Sequence, residues 1–218
     1  MSVHEKSGSD ITHAHVEDAY ARWAPIYDRV FTFVMKPGRL AAAGAVNRAG
    51  GRVLDVGVGT GLELPMFTGA AKIVGVDLSE PMLEIAKKRV AEEGLTNVED
   101  LLVMDAMNLT FPDASFDVAV APFVITTVPD PARTMDEMAR VVKPGGEIII
   151  VNHIGAESGP ISWIEAFMAK RASKLGWRPQ FSWDIIGDWI ASRPDLELVQ
   201  RETLSPMGLF ALVRIKRK

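Results

Sequence analysis

Cysteine is absent from all 218 residues. That excludes disulfides, thiolate zinc centres, iron–sulfur clusters and a cysteine nucleophile together. Long apolar runs are missing as well. Nowhere do about 18 apolar residues follow one another, the length a membrane-crossing helix needs. The stretches around Val118–Val128 and Ile148–Val151 are shorter and read as buried strands. The opening MSVHEKSGSD is polar and lacks the apolar centre of a secretory signal, so a cytoplasmic location is expected. Positive charge is not in excess: the formal net charge is −4. A general nucleic-acid binder is therefore disfavoured, because neutralising phosphates takes a basic surface. Internal repeats, low-complexity tracts and a convincing metal-ligand set are also absent.

What is present is the composition of a globular protein, with 48% hydrophobic and 24% charged residues. The chain divides at about residue 50. Before it lie a polar tail and helical patterns. From 51 to about 152, short β-branched runs alternate with helical patterns. Strands are expected at Arg52–Val56, Lys72–Asp77, Val98–Met104, Phe116–Ala121 and Gly146–Val151. Helices are expected at Ser79–Glu93, with Ser79 as N-cap and Gly94 past its end, and at Pro131–Val142. This alternation predicts βαβ units and a parallel sheet. Leu196–Arg201 and Leu209–Ile215 read as a closing antiparallel hairpin. A helical insertion is expected at about 155–192.

The first strand runs into Asp55-Val-Gly-Val-Gly-Thr-Gly61. Glycines at 57, 59 and 61 let the backbone approach a ligand and turn sharply, here predicted to enter a helix. Asp77 ends the second strand, where a carboxylate meets ribose hydroxyls. The dinucleotide fingerprint G-x-G-x-x-G/A, counted from Gly57, fails at Leu62. A pyrophosphate would be repelled by Asp55, whereas an ammonium would be attracted. The loop therefore suits a nucleoside with a cationic amino-acid arm, and S-adenosylmethionine is such a ligand.

Asp105 in VMDA, then FPDASFDVAVA, then DEMARVVKPGGEIIIVN complete a ladder that resembles the class I S-adenosylmethionine-dependent methyltransferases. The resemblance implies an α/β Rossmann-like fold: a seven-stranded, mostly parallel sheet with an antiparallel last strand, plus N-terminal helices. It implies that Asp55, Gly57, Gly59, Thr60 and Gly61 cradle the methionine arm. Asp77 would hold the ribose, Leu78 and Met82 would flank the adenine, and Asp105 with Ala106 would meet its edge. S-adenosylhomocysteine would be the product, and no metal is called for.

For the acceptor, Ala121-Pro122-Phe123-Val124 lacks the Asn/Asp-Pro-Pro-aromatic signature of nucleic-acid base methylation. Two segments point to a lipid. Val16, Ala19, Tyr20, Trp23, Ile26, Tyr27, Val30, Phe31 and Val34 form an aromatic-rich stripe, broken at Pro25, that suits a membrane boundary, a lid or plain core. Ile161, Ile164, Phe167, Met168 and Leu175 form an apolar face edged by Lys170, Arg171, Lys174 and Arg178, which suits a phosphate head group or an ordinary solvated face. ARWAPIYD, LDVGVGTGLELP, FVITTVPDP, KPGGEIIIVNHIGAESGP and GWRPQFSW resemble the Rhodobacter-type bacterial phosphatidylethanolamine N-methyltransferases over nearly the whole chain. That resemblance implies stepwise methylation of phosphatidylethanolamine to its mono- and dimethyl forms, with phosphatidylcholine left open, at the anionic inner face of the cell membrane. One departure is Phe123, where a tyrosine is expected. His153 is a candidate proton acceptor and Tyr27 a candidate for orienting the sulfonium or the amine. Tyr20 and Trp23 are candidates for the amine, and Lys170, Arg171, Lys174 and Arg178 for the phosphate. A soluble methyltransferase of quinone precursors and a non-catalytic S-adenosylmethionine-binding module remain alternative readings.

Overall fold

The computed structural model describes residues 35–153, 181–204, 208 and 210–218. The expected stripe with Tyr20, Trp23 and Tyr27 lies outside these residues, as does the basic segment with Lys170, Arg171, Lys174 and Arg178.

Helix α1 occupies residues 35–49. It is followed by β1 (Gly51–Val56), β2 (Ala71–Asp77), α2 (Glu80–Glu93), β3 (Val98–Val103), β4 (Phe116–Pro122), α3 (Pro131–Val141) and β5 (Val142–His153). The chain closes with α4 (Trp183–Ala191), β6 (Leu196–Leu204) and β7 (Phe210–Arg217). One sheet holds all seven strands in the order β3-β2-β1-β4-β5-β7-β6. Only β7 runs against its neighbours, so the expected mostly parallel sheet with an antiparallel last strand is the one observed.

The central strands are near-continuous apolar runs because helices cover both faces. One face buries Leu54, Val56, Ala119, Ile148 and Ile150 against Met135 and Met138 of α3 and Ile186 of α4. The other buries Val53, Ile73, Val120 and Ile149 against Ala42, Ala43 and Val46 of α1 and Leu83 of α2. The small side chains of α1 let it sit close to the sheet. At Gly38 an added Cβ would stand 2.6 Å from Phe123 Cζ.

α2 ends as expected, with Gly94 left-handed at φ 63°. Its start differs. The Ser79 hydroxyl makes no cap bond, and the Ser79 N–H instead donates to Asp77 Oδ1 at 2.8 Å. The helix expected after Gly61 is not formed. Only a three-residue 3-10 turn, Leu64–Met66, occupies that connection. Just nine residues separate Gly61 from β2, and Pro65 supplies no N–H among them.

Strand order reverses between β1 and β4. The loops leaving these two strands therefore diverge, and a crevice opens at their carboxyl ends.

Candidate active site

That crevice is a cleft lined by the 57–60 loop, Leu62 and Glu63, the end of β2 with Leu78, Ser79 and Met82, and Met104, Asp105 and Ala106. Pro122, Phe123, Val124 and Thr127 close its far side, and Arg39 of α1 reaches in from the edge.

The glycine loop is held by its own backbone and by Asp77. Gly57 and Val58 both donate to the Val76 carbonyl, at 2.8 and 3.0 Å. Gly57 has φ +72°, and an added Cβ would lie 2.2 Å from Val124 Cγ2. Glycine is required there by both conformation and space. Asp77 accepts from Gly59 N–H through Oδ2 and from Ser79 N–H through Oδ1, each at 2.8 Å. It thus ties the loop to β2, and its carboxylate faces the cleft, where a ligand's hydroxyls can donate to it. Burial raises its pKa.

Asp55 is 0% exposed and is not among the residues that line the cleft. Its carboxyl meets that of Glu63, which does line the cleft and is 6% exposed. Burial and the neighbouring carboxylate push Asp55 well above the usual range. Burial, partly offset by Arg39, pushes Glu63 up to about 7. Arg39 Nε stands 3.5 Å from Glu63 Oε2, with both side chains buried.

Glu63 and Arg39 were not singled out from the sequence. The available signal was at Glu63, a lone charge between Leu62 and Leu64; Arg39, three residues after Lys36, carries no such mark.

At the adenine end, Asp105 caps its own turn. Its Oδ1 accepts from Met107 N–H at 2.9 Å while the residue also faces the cleft. Arg140 braces that connection. It donates to the Leu109 and Phe111 carbonyls and to Asp113 and Glu137, and Glu137 accepts from Leu109 N–H. Met82 and Leu78 supply apolar wall.

Phe123 occupies left-handed space at φ 63°, uncommon for a bulky residue and characteristic of functional loops. Its N–H donates to the Val151 carbonyl at 2.6 Å, and its ring meets Phe210 edge-on at 5.1 Å. His153 ends β5, is buried, and packs edge-on to Phe210 at 6.4 Å. His153 is not among the residues that line the cleft, and Phe210 links it to Phe123, which is. Next to it, Asn152 donates to Thr126 Oγ1 at 2.7 Å.

The donor set fits S-adenosylmethionine. An orphaned carboxyl beneath the glycine loop suits the ammonium, Asp77 suits a diol, and Leu78 and Met82 suit a flat base. Residues 54–150 match the family model described as a methyltransferase domain. A solved S-adenosylmethionine-dependent methyltransferase of Thermotoga maritima, titled a possible histamine N-methyltransferase, superposes with TM-score 0.69. It is 27% identical, and the match covers 92% of this chain and 99% of that one. Fold and site together define a class I S-adenosylmethionine-dependent methyltransferase.

A phosphatidylethanolamine N-methyltransferase of Cereibacter sphaeroides is 43% identical over 203 residues, 93% of this chain and 98% of the relative. A demethylmenaquinone methyltransferase of Symbiobacterium thermophilum is 39% identical, but over only 47% of this chain and 42% of its own length. With full-length coverage on one side only, the chain belongs to the phosphatidylethanolamine N-methyltransferase family.

Proposed function

We propose that this enzyme methylates the amino nitrogen of phosphatidylethanolamine, giving the mono- and dimethyl lipids and, by a third transfer, phosphatidylcholine. The observation that carries this reading is the 43% identity to the Cereibacter enzyme across 93% of the chain, joined to an intact acidic–glycine cleft. S-adenosylmethionine supplies an electrophilic methyl on a sulfonium.

The protein's own task is to align an acceptor nitrogen with its lone pair free. An ethanolamine ammonium with a lysine-like pKa costs about 4–5 kcal/mol to deprotonate near pH 7. Burial beside Phe123 and Phe210 disfavours its charged form and recovers part of that. His153 accepts the proton, directly or through water, once the lipid is seated. Tyr27 orients the reacting groups, and the faces of Tyr20 and Trp23 hold the amine through each added methyl. Arg178, with Lys170, Arg171 and Lys174, takes the phosphate at an anionic surface. No metal takes part. No helix among the described residues is long and apolar enough to cross a membrane, which suits attachment at the inner face of the cell membrane.

The test uses purified protein, S-adenosylmethionine and vesicles containing phosphatidylethanolamine, with mass spectrometry of the extracted lipids. Gains of one, two or three methyls are expected. Protein that binds the nucleoside but leaves the lipid unchanged would exclude the phospholipid reading and favour a soluble acceptor or a binding module. His153→Ala is expected to lower turnover more than nucleoside affinity, and unchanged turnover at the pH optimum removes it as the base. Arg178→Ala is expected to raise the lipid concentration needed and leave nucleoside binding intact.

A further inference from the structure

Beneath the glycine loop lies an excess of buried negative charge. Asp55 of β1, Glu63 of the 3-10 connection and Asp77 of β2 face one another, and Arg39 of α1 is the cation set against them. Asp77 is satisfied by two backbone N–H groups. Asp55 is not: neither of its oxygens accepts a bond from any N–H or O–H among the described residues, and both are fully buried. Its contact is the carboxyl of Glu63. Two carboxylates in hydrogen-bonding contact away from water cannot both be ionised, so one proton must lie between them. Glu63 is the member that reaches the cleft, and Arg39 at 3.5 Å favours its ionised form.

We propose that Glu63 is a positioning residue for the amino-acid arm of the bound nucleoside, and that the ligand's ammonium displaces the proton which Asp55 and Glu63 share in the empty site. The inference rests on the reading of the cleft as an S-adenosylmethionine site. The displaced proton leaves to solvent, the pair becomes doubly ionised, and the ammonium pairs with Glu63 where it lines the cleft. Arg39, 3.5 Å from Glu63, faces the ligand's carboxylate. The exchange makes the site selective for a ligand that carries the arm, since a nucleoside without it leaves the proton where it is. The raised pKa values of both acids agree with a proton retained near neutrality.

Isothermal titration calorimetry reads this directly. S-adenosylhomocysteine is titrated into wild-type protein at pH 7 in phosphate and in Tris, whose ionisation enthalpies differ. The expected result is release of about half to one proton per ligand bound, with affinity rising up to about tenfold per pH unit between pH 6 and 7 and flattening above. 5′-Methylthioadenosine, which lacks the amino-acid arm, should bind without releasing a proton. Glu63→Gln should abolish the release and the pH dependence.

Binding of S-adenosylhomocysteine with equal enthalpy in both buffers overturns the proposal, as does equal release with methylthioadenosine. The methylthioadenosine comparison uses wild-type protein throughout, so it decides the matter even where the variant fails to fold. If neither nucleoside binds, the reading of the cleft itself fails.

Discussion

Gly57→Ala should be among the most damaging single-methyl additions in this protein. The added Cβ would sit 2.2 Å from Val124 Cγ2 and 3.3 Å from Val124 Cβ and Cγ1. Carbon atoms normally pack at about 3.5–4.0 Å, so one contact is impossible and two are tight. The φ of +72° adds a left-handed penalty of about 1–2 kcal/mol for any residue with a Cβ. Overpacking contributes about 1–3 kcal/mol more. The loop cannot simply retreat, because Gly57 and Val58 both bond the Val76 carbonyl. A loss of about 3–4 kcal/mol follows, which for a chain of this size lowers Tm by roughly 10 °C. The steric part is separable. Val124→Ala removes the colliding methyls and on its own costs about 1 kcal/mol, since Val124 is only partly buried. The double variant Gly57→Ala/Val124→Ala should then be more stable than the sum of the singles by about 1–3 kcal/mol. Urea denaturation of the four proteins measures this coupling. Strict additivity would refute the steric argument and leave only the backbone term.

Asp77→Asn should loosen the glycine loop. An amide has one acceptor oxygen, so either Gly59 or Ser79 loses its partner and faces an NH2 group. Affinity for S-adenosylhomocysteine is expected to fall about 10–100-fold by calorimetry, the equivalent of a lost charged hydrogen bond. Arg140→Ala leaves the buried Glu137 carboxylate without its cation and frees the Leu109 and Phe111 carbonyls. It should cost about 3 kcal/mol, and a Tm within 2 °C of wild type would contradict that. Stability of the unliganded protein should fall as pH rises from about 5 to 8. Glu63 rises from 4.5 to about 7 on folding, so the folded state keeps a proton that the unfolded chain releases. This contribution, about 3 kcal/mol from Glu63, is full below the lower value and gone above the upper one. Asp195, held at about 2 by Arg193, acts in the opposite sense, and its contribution is lost only as pH falls toward that value. Thermal melts in a pH series check this, and a flat profile between pH 5 and 8 would rule out the buried acid pair.

The elements legible in the sequence are those decided by local chemistry. Runs such as RVLDV and KIVGVD are strands because β-branched side chains fit a pleated surface covered on both faces. The loop glycines are legible because glycine adopts φ +72° at 57 and +53° at 59 without the steric cost a Cβ brings. Asp77 was visible by its place at a strand end. Local signals fail where a short connection constrains the chain, as in the nine residues after Gly61, which hold only a 3-10 turn. The strand expected at Gly146–Val151 extends from Val142 to His153: Val142 pairs with Phe116 of β4 and residues 147–153 pair with β7, while Pro144, Gly145 and Gly146 fall in the register shift between them.

The chemistry of Glu63, Asp55 and Arg39 belongs to the tertiary structure. Nothing near residue 39 announces that its guanidinium will meet residue 63, because the meeting depends on α1 crossing the sheet on the face that also carries the glycine loop. Composition shows that Asp55 carries a carboxyl, but not that the carboxyl will be dry and without a donor. Strand and turn preferences depend on a residue and its neighbours in the chain. Protonation depends on distance to charges and to water, and both are set only when the chain has closed around them.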